Sequence, residues 1–266
     1  GATLSRRWSG RHGLHRRGYR AGVKIHKAAL RETTAAGLLL LAGLRSGQAL
    51  SFLDPMCGSG TLVLEAAMIA AGIGPGLVRE ALIGPRWHAV PRQLRGSLAA
   101  ELTAARGRVS ISPGLKLRGR DAYEGALALA RRCAVALDRA APGIGRVLHF
   151  GLGVAEVAQP PSTELGASCE GRRLICCNPP WGVRLGGDEV GGHVQDENAK
   201  AATGSSGSGD ADAARASWRS LAPLLRRHGG EAWFLTPGGL DLAASLDRAL
   251  SCSPRTRHRV DGGPRD

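Results

Sequence analysis

The tetrapeptide Asn178-Pro179-Pro180-Trp181 holds residue types suited to chemistry on a weakly nucleophilic amine. An exocyclic amine on a nucleobase reacts poorly because its lone pair is delocalised into the ring. Two acceptors aimed at its N–H groups favour sp³ character and direct the lone pair at an electrophile. The Asn178 side-chain oxygen and the Pro179 carbonyl have the right chemistry for this. Two prolines stiffen the loop and limit its reorganisation. Trp181 offers a face on which an extruded base can stack. The plainer use of the same residues is a strand-ending turn with Trp181 as a hydrophobic plug. Their place after an apolar strand, downstream of a second motif, favours the chemical use.

That second motif is Asp54-Pro55-Met56-Cys57-Gly58-Ser59-Gly60, followed by Thr61. A phosphate loop of the NTPase type needs a Lys after its last glycine, and none follows Gly60. The three-glycine spacing of a dinucleotide loop is absent as well. A carboxylate at Asp54 repels a pyrophosphate and attracts an ammonium group. S-adenosylmethionine carries an ammonium and a sulfonium and no phosphate. Gly58 and Gly60 let the backbone approach such a ligand closely. Gly119-Arg120-Asp121 ends a second strand, where an acid can accept both ribose hydroxyls. Asp121 can equally cap the helix that follows.

These residues need a scaffold that brings strand ends together. Hydrophobic patterning predicts strands at Gln48–Leu53, Leu115–Arg120, Arg146–Phe150, Arg173–Cys177 and Glu231–Thr236. It predicts helices over 24–44, Thr61–Ala71, Ala122–Ala140, Ala211–Arg227 and Leu240–Leu250. The alternation points to an α/β fold with a mostly parallel, doubly wound sheet. Gly74–Arg108 is long enough to form an extra helical excursion. Residues 186–210 read as a low-complexity, disordered insertion in a loop. A final strand is expected near Thr256–Val260. Residues 1–22 read as a basic arm, 23–260 as the catalytic domain and 261–266 as a C-terminal tail.

Thirty-six Lys and Arg against 22 Asp and Glu leave a net charge of +14, which makes a polyanion the expected partner. Nine of these cations precede Glu32, with no acid among them. Arg16, Arg17 and Arg20 are therefore expected to contact nucleic-acid phosphates. The longest apolar run, near Ala35–Leu44, is too short for a membrane span, so no membrane partner is expected. None of the six cysteines shows a two-residue spacing that would mark a metal site, and no metal is expected. Cys176 and Cys177 read as core, and a soluble, reducing intracellular setting fits, cytoplasm or organelle.

Taken together, the residues resemble a known family. Leu14–Arg20, Leu30-Arg31-Glu32-Thr33, Asp54–Thr61, Pro75-Gly76-Leu77 and Asn178–Leu185 look like the RNA guanine-N2 methyltransferases that usually carry a THUMP domain. Bacterial-type large-subunit ribosomal RNA enzymes are the most similar. The resemblance implies a seven-stranded Rossmann-like fold of the class I S-adenosylmethionine-dependent type. It implies that Asp54 through Gly60 hold the methionine end of that cofactor and Asp121 its ribose. It implies that Asn178 through Trp181 hold the target base, and that Arg184 faces substrate RNA. Trp181 stands where the family more often has Tyr. The segment after the third strand lacks the expected Asp, and Glu156 is the nearest acid to the adenine. A THUMP-type RNA-binding domain is expected in the full-length protein. The competing expectations are an N6-adenine nucleic-acid methyltransferase and a non-catalytic RNA-binding module with a decayed cofactor site.

Overall fold

The computed structural model describes residues 15–20, 22, 29–79, 91–155, 171–181, 208–228, 231–236 and 242–250. Five strands form one sheet: β1 Leu50–Asp54, β2 Lys116–Asp121, β3 Leu148–Leu152, β4 Arg172–Cys177 and β5 Glu231–Phe234. Their order is β3-β2-β1-β4-β5, and every pairing is parallel. Among the described residues there are thus five of the seven strands that the resemblance implies. The expected strand near Thr256–Val260 lies outside them.

Parallel strands put all their carboxyl ends on one edge. The order reverses between β1 and β4, because β1 connects toward β2 on one side and β4 continues toward β5 on the other. In open α/β sheets a crevice opens at that reversal. Asp54 ends β1 and Asn178 follows β4, so the fold places the two motifs on either side of it.

The two central strands are apolar because both of their faces are covered. All five residues of β1 and the last four of β4 are buried. Leu50, Phe52, Leu174 and Cys176 join the larger core, with helix α1 Glu32–Leu41 and helix α2 Thr61–Ala70. Leu53 and Ile175 face the other way and meet Leu224 of α6 Ala222–His228. Helix α4 Glu124–Ala140 shares the first face, contributing Leu127, Cys133 and Leu137. Helices α5 Ser208–Arg219 and α7 Leu242–Leu250 pack near α6 through Trp218 and Leu246. The sheet is therefore wound on both faces. The excursion before β2 holds helix α3 Arg92–Gly107, which buries none of its residues fully.

Several boundaries differ from the sequence reading for local reasons. Helix α1 begins only at Glu32, since Arg31 is extended (ψ 141°). Helix α4 begins at Glu124 because the Asp121 carboxylate accepts the Tyr123 N–H and holds that residue extended. The helix expected over 211–227 is two helices. Pro223 has no N–H to donate to the Arg219 carbonyl, and the chain turns at Ser220-Leu221 before α6. Among the described residues no helix is long and apolar enough to cross a membrane.

The largest correction concerns the basic arm. Arg17 is 7% exposed, and its guanidinium pairs with the Glu65 carboxylate of α2 at 3.2 Å. Tyr19, in a 3-10 turn over Gly18–Arg20, is fully buried and donates its hydroxyl to the same carboxylate at 2.8 Å. Arg20 pairs with Glu32 at 3.4 Å and also donates to the Thr61 hydroxyl and the Leu30 carbonyl. A side chain at Gly18 would collide with the Val78 carbonyl, so the turn seats only with glycine there. Arg17 and Arg20 are thus tied to carboxylates inside the fold and do not form a phosphate-facing surface. Arg16 alone of the three is exposed.

This cluster makes a clear prediction. Burial raises the Glu65 carboxyl above its ordinary range, and Arg17 counters that rise. Glu65→Ala would leave the Arg17 charge buried without its carboxylate, which costs about 3–5 kcal/mol. Urea unfolding of the variant should show a loss of that size, and a change below about 1 kcal/mol would contradict the pairing.

Candidate functional site

The glycine loop is built from backbone hydrogen bonds. Cys57 N–H donates to the Arg120 carbonyl at 2.8 Å, and Gly60 N–H donates to the Cys57 carbonyl at 2.8 Å. Gly58 N–H donates to Asp121 Oδ2 at 2.8 Å. Gly60 has φ 78°, and a Cβ there would lie 2.9 Å from the Phe150 ring and 3.0 Å from Ala130 Cβ. Left-handed backbone and close packing both exclude a side chain at this position. Helix α2 starts directly after it, so its unpaired N–H groups and positive dipole end face the loop.

Asp54 is 2% exposed. Its Oδ1 accepts the Met56 N–H at 3.2 Å, and its carboxylate also accepts the Cys177 thiol. Among the described residues no Lys or Arg pairs with it. Burial therefore dominates and pushes the Asp54 carboxyl up to about 7. A buried carboxylate with no cation is costly unless a cationic ligand joins it. An ammonium group fits that requirement.

Asp121 stands at the tip of β2. Its two oxygens already accept one backbone N–H each, from Gly58 and Tyr123. Each oxygen keeps a further lone pair for a hydroxyl donor. The carbonyl of Asp121 accepts the Gly153 N–H at 2.9 Å, which joins the tips of β2 and β3. The Asp121 carboxylate thus holds the glycine loop and the Tyr123 turn, and it does not cap α4, whose N-cap is Tyr123 without a side-chain bond.

Across the crevice, Asn178 Oδ1 is buried and has no hydrogen-bond partner among the described residues. Such an orphan acceptor costs about 1–3 kcal/mol, and the protein keeps it at the reversal point of the sheet. Pro179 is buried, while Pro180 is exposed and Trp181 is 37% exposed. The exposed ring matches a surface for a stacked base. Glu156 and Arg184 lie outside the described residues.

Sequence reading missed three contributors. Cys177 was read as core, and it is fully buried, but its thiol also joins Asp54 to the residue before Asn178. Phe150 packs against Gly60 and so shapes the glycine loop from the third strand. Trp218 donates its indole N–H to the Pro180 carbonyl at 3.2 Å. None has a local signal, because each acts on a residue far away in the chain.

Comparison with known proteins bears on this geometry. The stretch 17–227 matches a family described as RMKL-like, methyltransferase domain. The ribosomal RNA large subunit methyltransferase K/L of Photobacterium profundum is 40% identical over 182 residues, 65% of this chain and 22% of that protein. The enzyme of the same name from Allochromatium vinosum is 39% identical over 188 residues, 66% of this chain and 22% of its own length. The chain thus spans under a quarter of these relatives. Among solved structures, a predicted N6-adenine-specific DNA methylase from Listeria monocytogenes is 25% identical with a TM-score of 0.64, covering 95% of this chain and 54% of that one. A possible methylase from Clostridium difficile 630 gives the same identity and TM-score, over 94% and 53%. Strands β1 to β4, the loop after β1 and the tetrapeptide after β4 all fall inside the matched stretch, and the chain belongs to the RMKL-like methyltransferase domain family.

Proposed function

We propose that this chain is the catalytic domain of an S-adenosylmethionine-dependent methyltransferase acting on the N2 amine of guanine in large-subunit ribosomal RNA. The observation that carries this reading is a buried Asn178 oxygen and a buried Asp54 carboxyl on either side of the sheet's reversal, the first without a donor and the second without a cation among the described residues. The names of the curated relatives support the choice of ribosomal RNA.

In this reading Asp54 takes the ammonium of the cofactor, and the backbone from Pro55 through Met56, Cys57, Gly58 and Ser59 to Gly60 cradles its methionine end. The start of α2 favours its carboxylate. Asp121 takes the ribose hydroxyls, with Glu156 the expected acid near the adenine. When bound, the cofactor supplies an electrophilic methyl on a sulfonium. Asn178 Oδ1 and the Pro179 carbonyl accept the two N–H groups of the base amine and aim its lone pair. Pro180 keeps the loop stiff, and Trp181 stacks on the base. No strong general base is needed, because the methylated ammonium is acidic and releases its proton to water. A paired guanine cannot reach this loop, so the base must be single-stranded or flipped out. Arg16 and Arg184 are the remaining expected RNA contacts, and a THUMP-type domain in the whole protein would add others. Such a protein works where ribosomal RNA is assembled, inside a cell or an organelle.

N6-adenine methylation is the second reading, favoured by the name of the Listeria relative and by the shared amine chemistry. Calorimetry with S-adenosylmethionine tests the cofactor site first. Nucleoside mass spectrometry of unmodified ribosomal RNA treated with the protein then separates the two. N2-methylguanosine supports the proposal, and N6-methyladenosine replaces it.

A further inference from the structure

Trp218 lies on α5, 38 positions after Pro180, and is 1% exposed. Its ring packs against Phe234 of β5, with centroids 5.9 Å apart and planes at 49°. A buried indole N–H needs an acceptor, and here the acceptor is the Pro180 carbonyl at 3.2 Å. A second clamp sits just upstream, where Leu235 N–H donates to the Cys177 carbonyl at 3.1 Å. The segment from Asn178 to Pro180 is therefore held at both ends.

Clamping has a strong effect on this particular segment. The rings of Pro179 and Pro180 lock two φ angles near −65°. Few torsions remain free between the clamps: φ and ψ of Asn178 and the ψ angles of Pro179 and Pro180. Turning the Pro180 carbonyl toward the indole thus restricts how the Pro179 carbonyl and the Asn178 side chain are aimed. Between the clamps, Asn178 Oδ1 has no donor among the described residues. Packing alone could be met by another large apolar side chain, whereas the hydrogen bond requires the indole nitrogen.

We infer that Trp218 is a positioning residue for methyl transfer, orienting the Asn178–Pro180 segment toward the target amine through the Pro180 carbonyl. The inference rests on the proposed role of the tetrapeptide. It assigns the work to the indole N–H rather than to the bulk of the ring.

Trp218→Phe tests it, since the change keeps an aromatic ring against Phe234 and removes the donor. With unmodified large-subunit ribosomal RNA as substrate, kcat should fall about ten- to a hundredfold, because a misplacement of reacting groups by about 1 Å can cost about 10²-fold. S-adenosylmethionine affinity should not change. Hydrogen–deuterium exchange should speed up in the peptide spanning residues 174–181 and stay unchanged over 61–70, a readout that does not depend on turnover. Phe234→Leu is the control, because it loosens the same packing and leaves the indole N–H in place. It should lower the melting temperature and keep kcat. Trp218→Phe with wild-type kcat and wild-type exchange at 174–181 would overturn the inference. So would a loss of kcat in Phe234→Leu equal to that in Trp218→Phe, which would mean that packing alone matters. The parent reading is distinguished by Asn178→Ala. An active Asn178→Ala enzyme brings down the role of the tetrapeptide and this inference with it. An inactive Asn178→Ala beside a fully active Trp218→Phe brings down the inference alone.

Discussion

Asn178→Ala is expected to slow methyl transfer by about 10²–10³-fold, the range seen when one preorganised polar contact to a reacting centre is removed. S-adenosylmethionine binding should be unchanged, because the side chain lies on the far side of the crevice from the Asp54 loop. Stability supplies a second, independent signature. Asn178 Oδ1 is buried with no donor among the described residues, so it burdens the free protein. Its removal should leave stability unchanged or raise it slightly, against the usual destabilisation by a buried truncation. A structural Asn would behave the other way, with stability falling and rate following. Measuring single-turnover methyl transfer beside thermal unfolding separates the two cases. A variant that is less stable and still fast would refute the assigned role. The same contrast explains why such an acceptor persists in the fold. In the proposed function it would hold a place for an N–H that arrives with the substrate, and residues kept for function commonly cost stability.

The second large effect is expected at Asp54, where function and stability should again move apart. Burial raises this carboxyl to about 7, against an ordinary value of 3.8. A group raised on folding stabilises the native state most at low pH, below its unfolded pKa. That contribution is lost as pH rises through about 7, where the buried carboxyl must ionise. At about pH 8 Asp54→Asn should therefore be as stable as the wild type or more so, since the amide keeps an oxygen for the Met56 N–H and carries no charge. Its affinity for S-adenosylmethionine should fall roughly thirtyfold or more, the effect of removing one partner from a buried charge pair worth about 2–5 kcal/mol.

The wild type should also show a pH dependence that the variant lacks. If only the ionised carboxylate binds the ammonium, affinity rises about tenfold between pH 6 and pH 8 for a group near 7. By pH 8 the ligand's own α-amino group has lost about half of its protons, which cuts the net rise to about fourfold. Calorimetric titrations at about pH 6, 7 and 8 on both proteins provide the check. A flat wild-type profile, or tight binding by Asp54→Asn, would exclude the ammonium contact.

Both motifs were legible in the sequence because each is local. Asp54 through Gly60 and Asn178 through Trp181 are contiguous stretches whose residue types announce a turn and a chemistry. Their strands were legible for a related reason: β1 and β4 are covered on both faces, so their apolar runs are unbroken. The five observed strands coincide with the five main predicted ones within two residues at each end. Boundaries drifted where a side chain overrode propensity, as Asp121 did for α4 and Pro223 for the helix pair after β4.

The sequence by itself determined the fold class, the two motifs and the edge of the sheet on which they meet. Local residue order suffices for these, since hydrophobic period sets the elements and parallel connection sets their ends. Only the tertiary structure decided what individual polar groups do. Arg17 and Arg20 read as phosphate contacts within a basic stretch, yet their carboxylate partners come from Glu65, 48 positions on in the chain, and from Glu32. Trp218 and Cys177 carried no local sign of bonding to the Pro180 carbonyl and the Asp54 carboxylate. A hydrogen bond or an ion pair is fixed by distance in space. Residue type states what a group can bind, and the packing of the sheet and its helices states which partner comes within reach.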